Sequence, residues 1–104
     1  MDEIQLTLYV MGRSSRSETA IVNLRRICEQ RLGDDRCLVE IIDVLEFPDR
    51  AEREQIMATP TLIRRRPSPA RRIIGDLTDM DRVVWALGLE THEIAIETDE
   101  REGK

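Results

Sequence analysis

Residues 4–45 carry three apolar patterns in succession, and this succession restricts the fold more than any other feature of the chain. Residues 4–11 alternate apolar and polar side chains, a period of two that predicts a β-strand. Apolar residues then recur at helical spacing from Glu18 to Leu32. Residues 37–45 form a nearly continuous apolar run, which is typical of a strand covered on both faces. Together the patterns predict a βαβ unit with a right-handed crossover.

The second half of the chain continues with a short helix, two strands and a last helix. Residues 48–57 are charged with few apolar anchors, and Pro48 suits the first turn of a helix. Residues 58–66 and 71–75 are β-prone and flank a proline-containing turn. A final helical pattern extends to Leu87. The resulting order, βαβαββα, predicts an α/β fold with a four-stranded mixed sheet and helices on its faces.

Polar side chains identify candidate ends for two of these helices. Ser15 or Ser17 is predicted to cap the first helix, because both lie at the start of its apolar pattern. Asp76 or Thr78 is predicted to cap the last helix for the same reason. The chain of 104 residues is expected to form one domain over residues 1–89, followed by an acidic tail, residues 90–104, that is expected to be loose.

The composition argues against several functional classes. The formal net charge is −5 and aromatic residues make up 3%, which disfavours nucleic-acid binding. No apolar run approaches the roughly 20 residues that span a bilayer, and the acidic N-terminus is unlike a secretory signal. Cys28 and Cys37 have neither a disulfide-framework nor a zinc spacing. We therefore expect a cytoplasmic protein without membrane, metal or cofactor, and a solvated side chain for the single histidine, His92.

Four segments resemble the KaiB family of circadian-clock proteins, and they follow the family's order within residues 4–89. The segments are Leu6-Thr7-Leu8-Tyr9-Val10-Met11-Gly12, Ile42-Asp43-Val44-Leu45, Ala58-Thr59-Pro60-Thr61-Leu62 and Arg71-Arg72-Ile73-Ile74-Gly75-Asp76-Leu77. Pro60 also looks like the proline that enters the third strand of thioredoxin-like folds, where it is typically cis. The resemblance therefore implies a thioredoxin-like fold.

The same resemblance implies a function and a second fold. It implies a non-enzymatic protein that binds the ATPase ring of KaiC and modulates a timing or stress-response cycle. A thioredoxin-like monomer would bind KaiC, while a βαββααβ form would self-associate as a tetramer or dimer in equilibrium with it. One alternative is a thioredoxin-like sensor or adaptor for a histidine kinase. Another is a thioredoxin-fold redox or glutathione-dependent enzyme.

Serines stand where a thioredoxin redox site requires cysteines. That site needs Cys-x-x-Cys after the first strand, so that the N-terminus of a helix stabilises one thiolate. Ser14, Ser15 and Ser17 occupy this segment, and serine cannot exchange disulfides. Cys28 and Cys37 are expected to be core residues, because free cysteine packs as a small hydrophobe. These observations argue against an oxidoreductase.

The contact with the ATPase is expected to involve the second helix, the second strand and basic residues around the hairpin. The predicted contact residues are Glu40, Phe47, Arg53, Gln55, Arg64, Arg71 and Arg72, with Pro60 setting the local geometry. The arginine-rich hairpin also admits two other interpretations: a solvated hairpin with ordinary ion pairs, and a nucleic-acid site disfavoured by the acidic chain. Asp43 is expected to accept hydrogen bonds in a structural role.

Three residues depart from the family pattern. Clock members resemble Gly-Leu-Asp at residues 86–88, whereas this chain has Ala86 and Gly88, which are our fold-switch candidates. Alanine favours a helix over glycine by up to about 1 kcal/mol, so Ala86 should favour the thioredoxin-like fold and Gly88 should oppose it. Glu40 stands where family members look basic, which implies a changed partner surface.

Overall fold

A computed structural model describes residues 3–89, and its elements follow the predicted order. The elements are β1 (Ile4–Val10), α1 (Ser15–Ile27), β2 (Cys37–Asp43), α2 (Pro48–Arg53), β3 (Thr61–Arg66), β4 (Arg71–Ile74) and α3 (Met80–Ala86). A π-helical segment, Cys28–Leu32, extends α1, and a 3₁₀ turn, Asp34–Arg36, precedes β2. The predicted βαβαββα order is confirmed. The predictions for the tail, residues 90–104, and for His92 fall outside the described residues.

The four strands form one mixed sheet in the order β2-β1-β3-β4. β1 pairs in parallel with β2 and antiparallel with β3, which in turn pairs antiparallel with β4. β1 is central, and only Gln5 among its seven residues is not fully buried. Side chains from β1, α1 and α3 form the larger core on one face of the sheet. A smaller core of Tyr9, Ile42 and Ile63 lies on the face that carries α2.

The second strand is an edge strand, and the prediction that it is covered on both faces is wrong. Leu38, Val39 and Ile41 are 51%, 44% and 42% exposed. The physical reason is that α2 has only six residues, and the small core on its side reaches β2 at Ile42 alone. On the other face, α1 and its extension bring Cys37 but neither Val39 nor Ile41 into the larger core. The apolar run therefore predicted the strand correctly, but it did not predict that the side chains of the strand are half exposed.

Both helix caps differ from the predicted residues. Ser14 caps α1, because its Oγ accepts a hydrogen bond from the Ser17 amide at 3.2 Å. Ser17 is buried, and its Oγ accepts a hydrogen bond from the Met11 amide at 3.1 Å. Asp79 caps α3 by accepting from the Arg82 amide at 3.2 Å. The predictions of Ser15 or Ser17 and of Asp76 or Thr78 are therefore wrong.

The residues predicted as caps use their side chains in other local hydrogen bonds. Asp76 forms a turn of its own, in which its Oδ1 accepts from the Thr78 amide at 3.2 Å and from the Thr78 hydroxyl at 2.5 Å. This turn ends at Thr78, the residue before the Asp79 cap of α3. Side chains of this kind bond to the nearest backbone amides in turns as readily as at helix ends.

Gly88 ends α3 in a left-handed conformation, with φ +68°. The Gly88 amide donates to the Trp85 carbonyl at 2.9 Å, and the Leu89 amide donates to the Val84 carbonyl at 3.0 Å. This pair of bonds is the Schellman arrangement, in which glycine is favoured because it has no Cβ. Gly88 thus supports α3 in this fold, in contrast to the expectation that it would oppose the helix.

Candidate partner-binding surface

A chain of polar contacts crosses the sheet face that carries α2, beginning at the edge strand. Arg50 of α2 donates to Glu40 of β2, with 3.0 Å between Arg50 Nη1 and Glu40 Oε2. The Thr7 hydroxyl of β1 donates to Glu40 Oε1 at 3.4 Å. The hydrogen bond from Arg50 is the main cause that lowers the pKa of Glu40 below its ordinary value. The charge of Glu40 is therefore compensated within the chain.

The same chain of contacts continues towards the other edge of the sheet. Arg65 Nε donates to the Thr7 hydroxyl at 2.8 Å, and Arg65 Nη2 lies 3.1 Å from Glu54 Oε2. Arg72 Nη2 of β4 donates to the Glu54 carbonyl at 2.8 Å. Contacts from β2, β3 and β4 thus reach α2 or the residues just after it, and Thr7 of β1 bonds to both Glu40 and Arg65. They hold the short helix on the sheet, where its own apolar contacts are few.

Exposed apolar side chains lie along β2 and in the connection to α2. Leu38, Val39 and Ile41 lie on the strand, and Leu45 and Phe47 follow it. β2 is also the last strand of the described sheet, so one of its edges carries no partner strand within residues 3–89. Contiguous exposed apolar residues of this kind mark interaction sites in soluble proteins.

Five of the seven predicted contact residues lie on the side of the sheet that carries α2: four on β2 or in and beside α2, and Arg72 on β4. Glu40 is on β2, Phe47 is the residue before α2, and Arg53 is the last residue of α2. Gln55 follows α2 with φ +57°, and its carbonyl accepts from Arg72 Nη1 at 3.4 Å. The structure therefore brings Gln55 and Arg72 together and ties both to the end of α2.

The other two predicted contact residues, Arg64 and Arg71, lie on the opposite face of the sheet. Arg64 is 4% exposed and donates to the carbonyls of Leu87 and Pro69. Arg71 is its partner in the β3–β4 register and is exposed. The predicted set is thus divided between two faces, since neighbouring residues of one strand point in opposite directions.

The sequence reasoning missed Arg50, Glu54 and Arg65, which complete the polar contacts, and it missed the exposure of Leu38 and Ile41. The sequence indicated Arg65 only as one of the arginines of the arginine-rich hairpin, and its contacts depend on strand pairing. A usable signal for the exposed strand was the length of the helical pattern after Pro48. A helix that short cannot cover a strand of seven residues.

The start of α1 contains hydroxyls in place of thiols. The Ser14 hydroxyl donates to Ser17 Oγ at 2.9 Å, and both serines also accept from backbone amides. Cys28 is buried just after the last residue of α1, where burial and, to a lesser degree, the nearby Cys37 thiol raise the pKa of its own thiol. Within residues 3–89, no group of three His, Cys, Asp or Glu side chains could hold a metal ion.

Two further residues have structural positions. The Thr59–Pro60 peptide bond is cis and lies just before β3. Asp43 ends β2, and its Oδ1 accepts from the Gly12 amide at 3.0 Å and from the Leu45 amide at 2.9 Å. Asp43 therefore joins the β1–α1 connection to the β2–α2 connection.

None of the helices in the described part of the chain has the length and apolar composition of a membrane span.

Relatives match nearly all of the described chain. Residues 7–89 match the KaiB domain family. The circadian clock protein KaiB3 of Synechocystis sp. is 53% identical over 89 residues, which cover 86% of each chain. The circadian clock oscillator protein KaiB of Parasynechococcus marenigrum is 46% identical over 90 residues, again 86% of each chain.

Solved structures share the fold at much lower identity. The N-terminal domain of SasA from Synechococcus elongatus superposes with a TM-score of 0.69 at 20% identity, covering 86% of this chain and 88% of that one. The Drosophila melanogaster thioredoxin Deadhead superposes with a TM-score of 0.67 at 14% identity, covering 86% and 83%. These structures show that the fold is thioredoxin-like.

Proposed function

The chain belongs to the KaiB family, and from this premise we propose that it is a non-enzymatic protein that docks on the ring of a KaiC-type ATPase and modulates the ring's timing or stress-response cycle. The relatives carry names of circadian clock proteins, which supports a role in a timing system. The docking surface consists of β2, its connection to α2, and α2 itself.

The observation that carries this proposal is the uncovered apolar surface of β2. Leu38, Val39 and Ile41 are each about half exposed, on both faces of an edge strand. Full burial of such a side chain is worth about 1.5–3 kcal/mol, so about half of that remains available to a partner at each position. The polar contacts around Glu40 and Arg65 hold this surface in one arrangement, which lowers the entropy lost on docking.

The ion pair between Glu40 and Arg50 changes what the charge of Glu40 implies for docking. Its carboxylate is paired with Arg50 at 3.0 Å, so a docking ring would meet a compensated ion pair. We therefore expect a cognate ring to recognise the region around Glu40 mainly by its shape and by the neighbouring apolar side chains, and not by a charge opposite to that of Glu40. Phe47, Arg53 and Gln55 extend the same proposed surface along α2.

Fold switching is the second part of the proposal. The thioredoxin-like fold described here would be the form that docks, and the βαββααβ fold would be a self-associated form. The C-terminal half has small elements: β4 has four residues and α3 has seven. Two packings of one sequence that differ by a few kcal/mol can both be populated, and a partner that binds one of them shifts the population.

The test is capture of the full-length protein by its cognate KaiC-type ATPase, with ATP and with ADP, and sizing of the free protein. The double variant Leu38→Ser with Ile41→Ser should weaken capture about tenfold or more, from the apolar area it removes. Val22→Ser is the matched control, because Val22 is 54% exposed but lies on α1. We expect this control to bind as the native chain does.

Absence of capture in both nucleotide states would refute the proposed partner. Binding of a histidine kinase to the native chain, weakened in the Leu38→Ser with Ile41→Ser variant, would then support the sensor or adaptor function. Glutathione-dependent turnover by the native protein would contradict the non-enzymatic part of the proposal. Equal capture of the native chain and the β2 double variant would show that the ring binds elsewhere.

A further inference from the structure

Two arginines face each other at the end of α3, on the sheet face opposite α2. Arg64 of β3 and Arg71 of β4 are directly opposite in the antiparallel register. Like charges in that relation repel each other. Arg64 is only 4% exposed, and burial together with the nearby Arg71 lowers the pKa of its guanidinium.

The pair has hydrogen-bonding capacity that the described chain does not use. Arg64 donates through its two Nη atoms to the carbonyls of Leu87 and Pro69, but its buried Nε has no partner. Arg71 makes no hydrogen bond or ion pair with any of residues 3–89, and no carboxylate in that range pairs with Arg64. A buried cation beside a second cation normally requires a counter-charge.

Gly88 brings the end of α3 directly against this pair. A Cβ at Gly88 would lie 3.2 Å from Arg64 Nη1 and 3.3 Å from Arg71 Cζ. Glu90 follows two residues later, a separation that the backbone spans in at most about 7 Å. Residues 90–104 contain six acidic residues and two basic ones. An acidic segment therefore starts within reach of two uncompensated arginines.

We propose that residues 90–104 fold back on their own domain and place a carboxylate on the Arg64–Arg71 pair. Guanidinium groups bind carboxylates through parallel, charge-assisted hydrogen bonds. Because the tail is tethered two residues from the pair, its effective concentration there is about millimolar, so a weak contact suffices. This inference does not depend on the proposed function. It assigns the hairpin arginines an intramolecular ligand at the face opposite α2.

The test compares full-length chains by NMR. One variant has an uncharged tail, with amides replacing the carboxylates of Glu90, Glu93, Glu97, Asp99, Glu100 and Glu102. We expect the Gly88 amide and the Arg71 Nε–Hε signal to shift between the native chain and this variant. Raising salt to about 1 M, where the Debye length is about 3 Å, should move the native signals towards those of the variant. The signals of the variant should respond little to salt.

A second measurement reports whether the tail touches the arginine pair, and not only whether its charge acts on the pair at a distance. The heteronuclear NOE of the tail amides should be larger in the native chain than in Arg71→Gln, which leaves the buried Arg64 and its bonds to α3 intact. Arg13→Gln, an exposed arginine of the β1–α1 connection, is the control and should leave the tail NOE unchanged.

Two results would overturn the inference. One is an identical tail NOE in the native chain, Arg71→Gln and the uncharged-tail variant, which would show that the tail does not dock on the pair. The other is a Gly88 shift that grows with protein concentration, which would show that the carboxylate comes from a second copy of the chain.

Discussion

Replacement of Gly88 by alanine should destabilise the thioredoxin-like fold. Gly88 has φ +68° and completes the two hydrogen bonds that end α3. A residue with a Cβ pays about 1–2 kcal/mol for a left-handed conformation. The substitution tests whether this single position holds the helix end in place.

The surroundings of Gly88 add to that cost. The new methyl group would lie 3.2 Å from Arg64 Nη1 and 3.3 Å from Arg71 Cζ. Arg71 can move into solvent, but Arg64 is held by its bonds to Leu87 and Pro69. Loss of one such bond is worth about 0.5–1.5 kcal/mol. The total for Gly88→Ala is therefore about 1.5–3.5 kcal/mol.

Thermal unfolding followed by circular dichroism measures this effect. For a domain of this size, 1 kcal/mol shifts Tm by about 4–8 °C, so we expect a decrease of at least about 6 °C. If the chain also populates the self-associated fold, sizing should show more oligomer, because 1.4 kcal/mol changes a population ratio about tenfold.

Gly12→Ala is the matched control for the backbone contribution. Gly12 has φ +55°, and among residues 3–89 the only atom close to its new methyl group would be Leu45 Cδ1 at 3.3 Å, the end of a flexible side chain. Its decrease in stability should therefore be limited to about 1–2 kcal/mol. A Gly88→Ala variant as stable as the native chain would contradict the role of Gly88 as the helix-ending residue, and one equal to Gly12→Ala would contradict the crowding by Arg64.

Three further predictions follow from single hydrogen bonds and ion pairs. Ser14→Ala should lower stability in urea by about 1 kcal/mol through loss of the α1 cap, whereas Ser15→Ala should have little effect. Asp43→Ala should cost about 1–3 kcal/mol in the same assay, because the amides of Gly12 and Leu45 lose their acceptor. The lowered pKa of Glu40 means that its pairing stabilises the fold above the ordinary carboxylate pKa and that this contribution is lost as pH falls through the lowered value. In Arg50→Gln, carbon-detected NMR titration should therefore show the Glu40 pKa rising towards its ordinary value.

The order of elements was predictable because each one carries a local periodic pattern. The alternation in residues 4–11 and the helical spacing of α1 depend only on which side chains face the core. The parallel pairing of β1 with β2 followed from the predicted βαβ unit, whereas no local pattern contains the register of the sheet. Helix ends were less predictable, since Ser14, Ser15 and Ser17 are chemically equivalent in sequence. Only the backbone geometry determines which of these hydroxyls reaches an orphan amide.

The candidate surface was predictable in part, for a related reason. Glu40 and Arg72 could be placed on β2 and β4, but Arg50, Glu54 and Arg65 join them through contacts between elements far apart in the chain. Arg64 and Arg71 were assigned to the same surface, whereas the strand alternation turns them to the other face. Residue type indicated an interaction surface, and only the register divided the arginines between the two faces.

The incorrect prediction for β2 bears directly on the proposed function. Its apolar run has the composition of a strand covered on both faces, yet α2 covers only one end of it and the edge carries no partner strand among residues 3–89. Exposed apolar area of this size lowers solubility and favours association, so a sequence that retains it at Leu38, Val39 and Ile41 needs a compensating advantage. The docking proposed above would supply that advantage, because the partner would complete the cover that the composition implies. The uncovered strand therefore supports an interaction protein over a self-contained enzyme domain, and the Leu38→Ser with Ile41→Ser variant separates the two by losing capture while keeping its fold.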